Sequence, residues 1–121
     1  MAQYAATVHR TLIIDFTVTV PSQGPPDLTG CTVYMIVKRS IGDADSAAFP
    51  PGGLSSPSGG IVITDAANRK FTVTFPLTAF DGITSLAQLL YEITIKDGSE
   101  NDWPADSGTI TVSPQLMLTS P

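Results

Sequence analysis

A period of two runs through this chain and decides most of what it can become. In residues 13–20, IIDFTVTV, the side chains Ile14, Phe16, Val18 and Val20 fall on one side, while Asp15, Thr17 and Thr19 fall on the other. Phe71, Val73 and Phe75 alternate with Thr72 and Thr74, and Tyr91, Ile93 and Ile95 with Glu92, Thr94 and Lys96. Ile110 and Val112 alternate with Thr109 and Thr111. Successive side chains of a strand point to opposite faces, so each run reads as a strand with one buried side. The supply of Thr, Val and Ile suits a pleated, half-buried surface.

Residues 31–38, CTVYMIVK, depart from this pattern. Cys31, Val33, Met35 and Val37 form one apolar face, and Tyr34 and Ile36 make the opposite face apolar too. Such a strand is expected at the centre of a sheet or under a cover. Residues 60–64, GIVIT, read as a shorter strand of the same kind.

The breaks between strands are equally legible. Residues 21–30 form a turn-rich connection, and residues 64–71, TDAANRKF, read as a hairpin with Asn68 able to take a left-handed conformation. Residues 49–60 are mostly Pro, Gly and Ser, which predicts a mobile surface loop. Residues 77–90, LTAFDGITSLAQLL, are the remaining helical candidate: Thr78 could cap one short turn that ends at Asp81-Gly82, and Ser85 could start a second. These features predict one all-β domain over residues 1–121. The expected architecture is an antiparallel β-sandwich of immunoglobulin-like type with one or two short helical turns, and a small closed barrel is the alternative.

Composition narrows the function classes. Charged residues are 14% of the chain, low for a lone soluble monomer, so part of the surface is expected to be covered by partners. Six Lys+Arg against eleven Asp+Glu leave a net charge of −5. That balance disfavours a nucleic-acid face and supplies no polybasic patch for anionic lipid, so neither nucleic acid nor membrane is an expected partner. No apolar run approaches the ~20 residues of a membrane span. Residues 1–8 lack a basic cluster followed by an apolar stretch, so no signal peptide is expected and synthesis in a cytoplasm is. The single cysteine, Cys31, cannot form an internal disulfide.

Chemistry has few candidates here. His9 is the only histidine, and a Cys31–His9 dyad has no local sequence support; Cys31 reads as a small core residue and His9 as a surface residue. One His and one Cys make a zinc site a poor fit. Asp97, Glu100, Asp102 and Asp106 share one connection, and Asp43 and Asp45 another, but the spacing does not match a calcium loop. Glu92 and Asp97 could be a carboxylate pair, yet Glu92 belongs on a strand's polar face and nothing marks a groove. The expectation is therefore no enzyme, no metal and no cofactor. Trp103, beside Asp102 in this acidic loop, could pack as a lid, touch a neighbouring subunit or stack on a glycan. Two terminal segments are expected to reach outward: an N-terminal arm, residues 1–12, and a C-terminal tail, residues 115–121, whose Leu116, Met117 and Leu118 are apolar.

Four stretches in sequence carry a resemblance: DLTGCTVYMIVKRS at 27–40, GGIVITDAANRKFTVTF at 59–75, LLYEITIKDG at 89–98 and SGTITVSP at 107–114. Together they resemble a family of small β-sandwich domains in tailed-bacteriophage virion proteins, among them the N-terminal domain of phage baseplate upper proteins. The likeness spans residues 13 to 114 and departs from the pattern at Leu89-Leu90, where a Gly shortly before Tyr91 would be expected. The resemblance implies a structural virion component, in a tail, baseplate, connector or capsid surface, made in the host cytoplasm. It implies self-association and contacts with other virion proteins, and no catalytic residues. The rival expectation is a host- or glycan-binding module that uses the Trp103 acidic loop.

Overall fold

The structure, a computed structural model, describes residues 2–8, 10–18, 25–56, 59–81, 83, 85–99 and 101–114. Among the described residues eight strands form two sheets. In chain order they are β1 (Ala2–Thr7), β2 (Leu12–Thr17), β3 (Thr32–Lys38), β4 (Leu54–Ser55), β5 (Ile61–Asp65), β6 (Lys70–Phe75), β7 (Ala87–Lys96) and β8 (Asp102–Ser113). The larger sheet has the order β1-β8-β7-β3-β4, and the smaller one β2-β6-β5. All neighbours are antiparallel except β1 and β8, which run parallel. The purely antiparallel expectation is corrected on that point: the chain crosses to the other sheet after β1 and returns along the far side, which brings β8 beside β1 in the same direction.

The alternating runs bury the faces that the sequence assigns. Ile14, Phe16 and Val18 meet Phe71, Val73 and Phe75 in the smaller sheet; Val33, Met35 and Val37 meet Tyr91, Ile93, Ile95, Ile110 and Val112 in the larger. Val20 lies outside the described residues. Fully burying one such side chain contributes about 1.5–3 kcal/mol, so the two apolar layers explain why the sheets stack. Rings add shape to the contact, with Phe16 stacked on Phe71 at 5.3 Å between centroids and edge-on to Tyr4 at 5.5 Å.

Several expectations from the sequence are corrected. Residues 2–7 are no reaching arm: they form β1, Ala6 is buried, and β2 begins at Leu12. Residues 49–60 include β4, whose Leu54 enters the core, and Ser56, whose hydroxyl accepts the Val33 N–H at 2.9 Å. Leu54 and Ser56 together anchor the described part of this Gly/Pro/Ser run to β3. Residues 77–90 hold no helix among the described residues. Ala79, Phe80 and Ile83 turn into the core, and residues 87–90 begin β7, because the sheet period continues through Leu89. A 3-10 turn occurs instead at Asp45–Ala47. β5 is an edge strand with Val62 exposed, not a covered one.

The β5–β6 hairpin is present, but its left-handed residue is Arg69, with φ 58°, not Asn68. Asn68 instead bonds Asp65 through its backbone and side-chain N–H groups. Arg69 earns its strained backbone by donating to the Val18 and Pro26 carbonyls, which ties the hairpin to the β2–β3 connection.

Candidate functional site

The outer face of the larger sheet carries a concavity. β3 and β7 supply its floor through Tyr34, Ile36, Leu90, Glu92 and Thr94, since side chains opposite the core share this face. The segment 39–53 forms one wall. It is held by its own bonds: Ser40 N–H to Asp43 Oδ2, Gly52 N–H to the Asp45 carbonyl, and the Arg39 guanidinium 5.3 Å above the Phe49 ring. Phe49 N–H donates to the Val37 carbonyl, which fixes the wall to the edge of β3. The groove, open to solvent, measures about 790 Å³.

Its surface mixes apolar and charged side chains, with Glu92 opposite Ile36 in the middle of the floor. Tyr34 is 41% exposed, Ile41 on the wall 87% and Leu90 36%. Lys38 pairs with Asp45 at 2.8 Å, and Lys96 lies opposite Asp102 in the β7–β8 ladder. Glu92 accepts a hydrogen bond from the Thr94 hydroxyl at 3.3 Å. A surface of this mixed kind can receive another molecule that offers both apolar and polar groups.

The acidic residues singled out in the sequence do not come together. Asp97 caps the β7–β8 turn, accepting from the N–H groups of Ser99 and Asn101 and from Trp103 Nε1 at 2.8 Å. The Trp103 donor, ahead of the backbone N–H groups, holds the Asp97 carboxyl below its ordinary range. Trp103 itself is part of β8, opposite Ile95 and partly buried, not in a loop. Asp102 lies at the end of the groove, and Asp106 turns the other way and accepts from the Tyr91 hydroxyl at 3.1 Å. The ladder slips between Ile93 and Thr94, so Asp106 faces inward while Asp102 faces out. Among the described residues no group of three or more His, Cys, Asp or Glu is placed to hold a metal ion.

Cys31 is half-buried just before β3, its thiol 3.7 Å from the Asp27 carbonyl oxygen and 3.8 Å from that of Thr29. Burial, with Asp97 and Asp27 nearby, pushes its pKa up, which keeps it a protonated thiol and a poor nucleophile. His9, Glu100 and the tail residues Leu116, Met117 and Leu118 lie outside the described residues. Periodicity in the sequence does not mark the groove as a site, although the second apolar face of 31–38 and the Leu89-Leu90 pair are signals for its floor. What periodicity could not supply was the wall, which depends on how 39–53 folds back.

No protein-family model, no curated protein and no solved structure matches this chain.

Proposed function

We propose that this protein is a structural component of a tailed-phage virion, a non-enzymatic module that works by docking onto companion proteins of the particle and onto copies of itself. The observation that carries the reading is the outer face of the larger sheet, where Tyr34, Ile41 and Leu90 stand exposed around a preformed groove. Leaving such side chains in water is unfavourable, and burying them against a partner recovers that free energy. The low proportion of charged residues and the resemblance of four ordered stretches to virion sandwich domains support the same reading. The strand order supports an immunoglobulin-like connectivity: the smaller sheet holds the second, sixth and fifth strands, and the larger holds the third, seventh and eighth.

The test is incorporation into particles. Phage particles purified from cells carrying the gene are expected to contain the protein by mass spectrometry. Leu90→Lys, which places a charge on an exposed outer-face position and leaves the core untouched, is expected to reduce incorporation while the isolated protein keeps its melting temperature. Absence of the unaltered protein from particles would overturn the reading.

A further inference from the structure

The sandwich has four outer edges, and three are protected. β4 is two residues long and flanked by the wall of the groove. β5 breaks register after Ile63. β2 carries Asp15 near its middle, so antiparallel pairing of β2 with its own copy about that point would set like charges side by side. Among the described residues β1 has none of these devices. Its sequence, AQYAAT, contains no charge and no proline, and its pairing with β8 is continuous over all six residues.

The backbone of β1 is also poised. Val8 N–H donates to the Ser113 carbonyl at 3.0 Å. Bonding to the neighbour alternates along a parallel ladder, so even-numbered residues of this segment face β8 and odd-numbered ones turn their N–H and C=O groups away. The Thr7 carbonyl accepts from Arg10 N–H at 3.2 Å. The N–H and C=O of Gln3 and Ala5, and the N–H of Thr7, bond to no described residue, and both Gln3 and Ala5 are exposed.

We propose that the free edge of β1 pairs antiparallel with β1 of a second copy, about a two-fold axis at Ala5, joining two larger sheets into one of ten strands. This rests on the assembly reading and names one of its partners as the chain itself. The odd residues set the register, with Ala5 opposite Ala5 of the partner copy and Gln3 opposite its Thr7. An isologous contact of this kind needs a strand that tolerates its own image, and an uncharged one with alanine at the axis does.

The experiment measures mass in solution by sedimentation over a wide range of protein concentration. The unaltered chain is expected to dimerise as concentration rises. Ala5→Pro removes an outward N–H and no bond to β8, a position at which an edge strand accepts proline. Because the axis passes through Ala5, it deletes two hydrogen bonds per dimer and is expected to weaken dimerisation by roughly tenfold to a hundredfold. Should Ala5→Pro lower the melting temperature, Ala5→Cys in a Cys31→Ser background decides. Paired residues here would sit with Cα atoms about 5.5 Å apart, within disulfide range, so an added oxidant is expected to cross-link the dimer. A chain that stays monomeric at every concentration would overturn the proposal. So would a dimer that Ala5→Pro leaves intact, or one that Ala5→Cys does not cross-link. None of these results touches the groove, whose reading stands or falls on Leu90→Lys and particle incorporation.

Discussion

The two flanks of the sandwich are closed by different means. On one flank, where β4 leads into β5, the backbone itself makes the closure: Ser55 and Gly59 exchange N–H to C=O bonds, and Gly60 accepts from Thr74 N–H on β6 in the opposite sheet. On the other, β1 and β2 face across with no ladder between them, and the closure is made of rings. Tyr4 on β1 and Phe16 on β2 meet edge to face, with Phe71 and Tyr91 packed behind them. A flank shut by backbone has spent its hydrogen-bonding groups. A flank shut by side chains keeps them, and among the described residues Gln3 and Ala5 of β1 turn theirs away from β8.

The comparison breaks most visibly if the rings are removed. Phe16 is 4% exposed and touches three other rings, so Phe16→Ala is expected to cost about 3–5 kcal/mol in denaturant unfolding. The loss comes from cavity and contact, and no backbone bond is altered. A cost under about 1 kcal/mol, the scale of an ordinary surface change, would mean that β1 and β2 are held together by something other than these side chains.

On the backbone-closed flank the sensitive atoms are different. Gly53, with φ 80°, brings the chain so close to β3 that an added Cβ would lie 2.7 Å from the Met35 carbonyl oxygen. Gly53→Ala is therefore expected to lose about 1–3 kcal/mol from the left-handed backbone alone, with the clash adding to it. The measurement that sharpens the contrast is hydrogen exchange. Gly53→Ala should speed exchange at Ser56 and Val33, which bond one another across β4 and β3, and leave Tyr4 and Ala6 nearly unchanged.

These two variants also mark how far the sequence could be read. Phe16 and Phe71 were legible as inward residues because each sits in a clean period of two. Gly53 and Leu54 were not, because the composition around them speaks for a loop, and what orders them is a contact with β3, about 18 residues earlier in the chain. The same holds for residues 77–90. Their local pattern permits helical turns, but Ala79, Phe80 and Ile83 are drawn inward by a core built elsewhere, with Phe80 5.3 Å from Phe75. The floor of the groove could be read from Tyr34 and Ile36, whereas its wall is a tertiary product. β1 is not legible as a strand because AQYAAT has weak periodicity; its pairing with β8 joins residues about 106 positions apart, and no local signal announces it.

The smallest effect belongs to the polar end of the ring cluster. Tyr91 is 3% exposed and donates its hydroxyl proton to Asp106. Burial, then the Asp106 carboxylate, raises its pKa above the ordinary tyrosine value of about 10. The folded chain keeps a proton that the unfolded chain releases, so the stability this contributes is full below about pH 10 and declines as pH rises beyond it. Tyr91→Phe keeps the ring and removes the hydroxyl. It is expected to cost about 1 kcal/mol at neutral pH, for the lost bond and the carboxylate left without it. Its diagnostic sign is a shallower fall in melting temperature between pH 9 and 11. Equal alkaline slopes in the two proteins would mean that Tyr91 ionises freely in the folded state, and that the ring-closed flank admits water as deep as Asp106.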